Sequence, residues 1–573
     1  MYIKKITMIN FKYYITASLT VSIILFLQLN LTFAQINWTW AASGGRGINS
    51  YSYSLGCGID FDENKNTYLV GTISTPAKVD TLQLYSYGNS DILIAKYDYS
   101  GNPIWAKTAG GINSDYATSV KYKDGFLYVC GIFYDTAHFD SQIIYDGYAQ
   151  SFFVAKINAI NGNYVWIRHG DYTNIGNAGM YKLLVINADN LNHVYLCGFC
   201  CKNAQLIDTV YTTSASNAAF FITQLDTSGN MNWIHFKKIG DGSAGCGNEG
   251  IDMTIDKNSN VIYTSSIKRT DTVSVSGTQS GYDNLLLGKI NSAGIVYWEK
   301  EFGDTIHDLW YCIPNAISTD DNCNIYVSGI YMQSFILNPS AYSSGGFISK
   351  FRSSDGSVVA ATPYHSNNGS TPWFTGCDYN YDGNIIYSGG FCGTVDFGGI
   401  SLSPISSVYD CDNFIVSFDT TGILNWAARY GYYNWDDINA SNSNGNMYAI
   451  TGNFIDSLTL GPFSLYADTL QTNSRYFYIG TQIKDLHYDI ISIPNTNLYF
   501  NIYPNPTSSY LIFETSDDFK KYSIDIYNIS SKLIRHYSNP ASNNLDVSEL
   551  TPGIYFISLR SDKIVFVKSF IKN

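Results

Sequence analysis

Within this 573-residue chain the residues best suited to chemistry are oxygen donors spaced two apart. Asp378, Asn380 and Asp382 alternate along Asp378-Tyr379-Asn380-Tyr381-Asp382-Gly383, ahead of a turn glycine. That is the front half of a calcium-binding loop, without the bidentate Glu that would complete it. Calcium at these three residues is the one cofactor the sequence suggests. The same pattern also fits a hairpin turn in which Asp and Asn cap their own backbone. Related turns at Asp60–Asn66, Asp256–Asn260 and Asp320–Asn324 favour the structural role, since every hairpin needs a turn.

Signals for catalysis are sparse. The eight histidines are scattered, with no His-Glu-x-x-His, no Gly-x-Ser-x-Gly elbow and no phosphate or dinucleotide loop. The carboxylate pairs Asp320-Asp321 and Asp436-Asp437 read as solvated turn residues. Cys197, Cys200 and Cys201 cluster, but a second pair at zinc spacing is missing. Cys130, Cys197 and Cys392 sit in strand-like contexts and read as small buried hydrophobes. Eleven cysteines leave at least one without an intramolecular disulfide partner.

The elements that position these residues come from a repeat. Trp40, Trp105, Trp166, Trp233 and Trp298 recur at intervals of 61–67 residues, and Trp426 falls two periods later. Val358-Val359-Ala360 fills the vacant place. Each unit reads as a Trp strand, a strand leading into an Asp/Asn turn, a Tyr-x-x-Gly strand and an "apolar, x, apolar, x, Lys" strand. Tyr68–Gly71, Tyr128–Gly131, Tyr195–Gly198 and Tyr326–Gly329 show the third; Ile92–Lys96, Phe152–Lys156 and Leu285–Lys289 show the fourth. Four short strands repeated seven times predict an all-β, seven-bladed β-propeller over residues 35–483. A four-stranded blade has two apolar faces, and only neighbouring blades can cover both. Ile36–Trp40 is expected to complete the last blade, which ends without a Trp strand of its own.

The last segment, residues 498–573 behind a linker at 484–497, has a different pattern. Tyr503-Pro504-Asn505-Pro506 opens it, Ser523–Asn528 alternates as a half-buried strand, Pro552-Gly553-Ile554-Tyr555 turns into another, and Lys568-Ser569-Phe570-Ile571-Lys572 ends it. These ordered motifs resemble the type A C-terminal sorting domain of type IX secretion cargo in the Bacteroidota. Ser531-Lys532 stands where that family usually has Gly-Lys. The resemblance implies a small immunoglobulin-like β-sandwich recognised by the outer-membrane machinery, with Tyr503, Pro504, Asn505, Pro506, Gly553, Tyr555, Lys568 and Lys572 as its motif. It further implies cleavage of the tail, with release of the cargo or its attachment to surface lipopolysaccharide. The body resembles secreted Bacteroidota propeller repeats. Asp80-Thr81-Leu82, Asp135-Thr136-Ala137, Asp208-Thr209-Val210, Asp271-Thr272-Val273, Asp456-Ser457-Leu458 and Asp468-Thr469-Leu470 are similar to an O-glycosylation signal of such proteins and also read as turns entering strands.

The other end agrees with export. Lys4, Lys5 and Lys12 precede an apolar run to Leu31 and then Thr32-Phe33-Ala34, which predicts a signal peptide over residues 1–34 and no transmembrane segment in the mature chain. Net charge is -13, while the tail from Tyr499 has eight Lys/Arg against seven Asp/Glu. The acidity therefore lies in the body and argues against nucleic-acid partners. The expected role is an extracellular protein binding a glycan or protein ligand, not an enzyme. The alternative is a secreted carbohydrate-active or peptide-cleaving enzyme with its site at the propeller axis.

Overall fold

The computed structural model describes residues 38–45, 54–74, 76–171, 184–200, 204–211, 218–239, 251–269, 282–302, 311–332, 344–380, 382–405, 411–431, 436–444, 447–467, 475–483, 500–515, 523–528, 533–538, 540, 542–561 and 564–573. The expected signal peptide and the expected linker at 484–497 lie outside the described residues. Two compact units divide between Ile483 and Lys484.

Among the described residues the first unit is a seven-bladed β-propeller of four-stranded antiparallel blades. Blade 1 runs outward as Leu55–Phe61, Thr67–Ile73, Asp91–Tyr97 and Pro103–Ala109. Its three inner strands are buried at every position, while the outermost is mostly half-exposed. This explains the continuous apolar runs of the sequence: adjacent blades cover both faces. One core cluster joins Val70 and Ile94 of blade 1 to Val129 and Phe153 of blade 2. Another joins Phe477 and Ile479 of blade 7 to Leu69 and Leu93 of blade 1.

The Trp strand is the outermost strand of its blade, so each structural unit starts one strand later than the sequence repeat suggests. The N-terminal strand consequently completes blade 7, but it runs over Trp40–Gly44 and not the expected Ile36–Trp40, pairing antiparallel with Tyr476–Ile483 and placing Trp40 opposite Thr481. Trp Nε1 of one blade donates to the outer hairpin of the next: Trp166 to Thr227 O at 3.0 Å, Trp233 to Ser292 O at 3.0 Å and Trp298 to Ser353 O at 3.1 Å. The repeated Lys reaches the same turns, Lys156 to Thr227 O at 3.1 Å and Lys350 to Thr420 O at 2.8 Å.

The Tyr-x-x-Gly glycine has a specific steric role. The innermost strand carries a β-bulge between Gly56 and Gly58, which pushes its backbone toward the second strand. A Cβ on Gly71 would lie 1.9 Å from Leu55 O, and one on Gly131 would lie 2.2 Å from Tyr116 O. Only glycine admits that approach.

Two sequence expectations are corrected. Cys392 is disulfide-bonded to Cys411, opposite it on the neighbouring strand, and is not a plain buried hydrophobe. Asp320 and Asp436 are 2% and 0% exposed, so those carboxylates are not solvated.

The second unit packs a three-stranded sheet (Phe500–Tyr503, Tyr510–Thr515, Asn544–Asp546) against a four-stranded one (Leu533–Ser538, Ser523–Asn528, Gly553–Ser561, Ile564–Lys572). Phe513, Ile526, Ile557 and Phe570 lie in the core of this small β-sandwich.

Candidate functional site

The innermost strands of the seven blades surround the axis and are tied to one another by side chains. Asp60 Oδ2 accepts the Tyr122 N–H of blade 2 at 2.7 Å, and Thr118 Oγ1 donates to Leu184 O of blade 3 at 2.8 Å. Asn187 Nδ2 approaches Met253 O of blade 4 at 3.4 Å, and Asp252 Oδ2 accepts the Ile317 N–H of blade 5 at 3.0 Å. Ser318 Oγ accepts the Tyr379 N–H of blade 6 at 3.0 Å, and Asp378 Oδ2 accepts from Ser441 Oγ of blade 7. Asn439 and Asn442 return to blade 1, donating to Gly56 O and Ile59 O, each at 3.0 Å. This polar belt replaces the backbone pairing that inner strands of separate blades cannot make. A motif search misses it, although a signal exists: Asp60, Asn187, Ser318 and Asp378 each stand two residues before a turn Asp or Asn.

Where the belt meets the Asp/Asn turns lies a cavity of about 660 Å³, to which every blade contributes. Its walls include Tyr122, Lys123, Asn187, Asn190, Lys257, Tyr379, Asn442 and Ser443. Lys123 Nζ approaches Asn190 Oδ1 at 3.4 Å and Asp124 at 3.6 Å. Buried carboxylates around it are engaged in the scaffold. Asp60 also pairs with Lys121 at 3.2 Å and accepts from Asn442 at 3.0 Å. Asp256 accepts from Asn258 N and Asn260 N and pairs with Lys289 at 2.9 Å. Burial opposes its ionisation, yet Asn260 and Lys289 hold its carboxyl below the usual range.

The three residues considered for calcium have separate surroundings. Asp378 faces the axis and bonds Ser441. Asn380 Oδ1 accepts the Asn384 N–H at 3.0 Å, closing a turn in which Gly383 has φ 78°. Asp382 is exposed. Among the described residues no group of three His, Cys, Asp or Glu is placed to hold a metal ion. Of the Asp-Thr/Ser sites, Asp80 and Asp456 have positive φ at bends between strands and Asp135 has positive φ within the strand Phe126–Phe139; Asp271 and Asp468 lie outside the described residues.

In the second unit the two ends of the motif meet. Asn505 donates from Nδ2 to Ser569 O at 2.9 Å and accepts the Ile571 N–H at 2.9 Å. Thr507 N donates to Ile571 O at 2.8 Å, and Gly553 stands opposite Lys572. Asn505, between Pro504 and Pro506, thus clasps the final strand. Tyr555 stacks on Phe570 at 5.6 Å and donates to Thr551 O at 2.9 Å. Tyr503 donates to Glu514 at 2.6 Å; Lys568 is exposed and Lys572 is buried.

Residues 501–573 match the family described as the secretion system C-terminal sorting domain. No curated protein matches the chain. Similar solved structures include PorZ, a surface component of the type IX secretion system of Porphyromonas gingivalis, at 10% identity and TM-score 0.29, covering 92% of this chain and 70% of that one. The polysaccharide lyase Uly1 is similar at 10% identity and TM-score 0.41, covering 75% and 90%. An acylaminoacyl peptidase of Pyrococcus horikoshii is similar at 9% identity and TM-score 0.36, covering 83% of this chain and 60% of that one.

Proposed function

From its sorting domain, which marks the chain for export through the periplasm to the cell surface or beyond, we propose an extracellular binding protein whose propeller takes a saccharide ligand in the axial cavity. The supporting observation is the character of that cavity. About 660 Å³ suits a small ligand, and its walls offer amides, hydroxyls, phenols, lysines and the exposed carboxylates of Glu63 and Asp124. The buried carboxylates Asp60, Asp256 and Asp378 are occupied in holding blades and turns together. Glycoside hydrolysis needs two carboxyl groups flanking one bond; of the two exposed carboxylates that also line the cavity, Glu63 and Asp124, the latter lies 3.6 Å from Lys123, which supports binding over cleavage.

The test is a calorimetric screen of the mature protein against soluble oligosaccharides, with product analysis in parallel. Tyr379→Ala and Asn190→Ala are expected to weaken binding about tenfold each, roughly 1.4 kcal/mol, with thermal melting read alongside because Tyr379 also packs on the core and donates to Asp321. Undiminished binding in both variants would move the site elsewhere. Release of new reducing ends would make the protein an enzyme.

A further inference from the structure

Two buried carboxylates lie at the junction of blades 1 and 2, away from the axial cavity. Asp91 begins the strand Asp91–Tyr97, and Asp115 immediately precedes Tyr116–Lys123, its N–H donating to Ser90 O at 2.8 Å. Both residues are 0% exposed. They face one point: a Cβ on Gly110 would lie 2.7 Å from Asp91 Oδ1 and 2.6 Å from Asp115 Oδ2. Asp115 accepts the Gly111 and Tyr134 N–H groups at 2.6 and 2.8 Å, and Asp91 Oδ2 accepts the Tyr87 N–H. Among the described residues Asp91 Oδ1 has no hydrogen-bond partner.

The same spacing recurs once more in the chain, there with a cation beside the first carboxylate. Asp412, Gly431 and Asp436 repeat the spacing of Asp91, Gly110 and Asp115. Asp412 and Asp436 are likewise 0% exposed, and Asp412 Oδ2 accepts the Ile405 N–H at 2.8 Å. There Arg429 Nε lies 3.7 Å from Asp412 Oδ2. The equivalent position in the first copy, two residues before the glycine, is Thr108, whose hydroxyl donates to Tyr85 O at 2.7 Å. Two buried carboxylates with no cation are costly unless one takes up a proton.

We propose that Asp91 and Asp115 form a proton-operated latch between blades 1 and 2, tight while the pair is protonated and loosened when both carboxylates ionise. The surrounding groups are consistent with it. Tyr87 comes from the loop before Asp91, Tyr116 follows Asp115, and Tyr134 and His138 come from the second strand of blade 2; Tyr87 stacks on His138 at 4.9 Å. Lys107, beside Thr108, is paired with Asp140 at 2.7 Å. Burial pushes Asp91 up to about 7, with Asp115 adding repulsion, and burial pushes Asp115 up to about 6. In the unfolded chain an Asp titrates near ~4. The folded state therefore holds protons more tightly, so the latch's stabilisation is complete in acid and is lost as pH rises through both folded values.

Thermal unfolding of the mature protein at pH 5 and pH 8 tests this. The midpoint is expected to fall by at least ~2 °C at the higher pH. Asp91→Asn and Thr108→Arg should flatten that fall, Arg429→Thr should deepen it, and His138→Gln should leave it unchanged. A protonated-carboxyl infrared band present at pH 5 should diminish in Asp91→Asn. The proposal is overturned if wild type and Asp91→Asn respond to pH alike, or if His138→Gln alone removes the response. It is equally overturned if millimolar Ca²⁺ restores the wild-type midpoint at pH 8, which would make the pair a metal site.

Discussion

Asp320 Oδ1 accepts the N–H groups of Asn322 and Asn324 at 2.9 and 2.8 Å, while Oδ2 accepts from Asn324 Nδ2 and the Tyr326 hydroxyl at 2.8 and 3.0 Å. Asp62 and Asp189 repeat the arrangement, with His193 in the place of the Asn in the latter. An aspartate whose oxygens are filled this way fixes the turn and aims the following tyrosine. Asp320→Ala should therefore cost about 2–3 kcal/mol in a denaturant titration, because several buried donors lose their acceptor. Asp256 shows the opposite pH sign to Asp91. Its lowered carboxyl contributes stability above the unfolded value and loses it in acid. The deficit of Asp256→Asn in urea should be clear at pH 7 and shrink below about pH 4. Recurrence made the turn aspartates legible in the sequence. Burial of Asp436 was not legible, because it depends on what packs around the residue once the strands assemble.

A blade is four strands whose order follows from their burial. The outermost strand of one blade touches the outer hairpin of the next through a recurring trio. Trp166 and Lys156 both donate to Thr227 O, and Gly229, at φ 83°, lets the turn lie flat on the indole, where a Cβ would sit 3.1 Å away. Gln224 replaces the lysine at the next junction, donating to Ser292 O at 2.7 Å beside Trp233. The lysine that ends the "apolar, x, apolar, x, Lys" strand is thus an interblade tie: Lys96, Lys156 and Lys350 donate to a carbonyl, and Lys289 to the Ser353 hydroxyl. Trp233→Phe should lose about 1 kcal/mol for the missing N–H, and Trp233→Ala about 3–5 kcal/mol, as read from urea midpoints. Gly71→Ala should be worse than its size suggests, at least about 3 kcal/mol, since the added methyl meets the Leu55 carbonyl. The Tyr-x-x-Gly pattern was visible in the sequence, but the bulge that requires its glycine appears only when two strands pair.

At the scale of the molecule, the first unit is joined to itself twice, by the pairing of Trp40–Gly44 with Tyr476–Ile483 and by Asn439 and Asn442 bonding to blade 1. A chain lacking residues 38–45 should unfold at a lower temperature and self-associate, because Tyr476–Ile483 would become a bare sheet edge; unchanged melting in size-homogeneous protein would contradict this. For the second unit, removing residues 499–573 should leave the protein in the periplasm, tested by fractionation and surface labelling. By itself the sequence determined the all-β class, the number of blades, the displaced N-terminal strand and the sorting domain. Each of those depends on local signals: period-two apolar patterning, recurring turn residues and motifs at fixed spacing. Only the tertiary structure decided which polar side chains face the axis, that Asp378 bonds Ser441, that Cys392 meets Cys411, and that Asp91 and Asp115 share one point. Those residues are far apart in the chain, and their energies depend on the dielectric and partners that neighbouring blades supply.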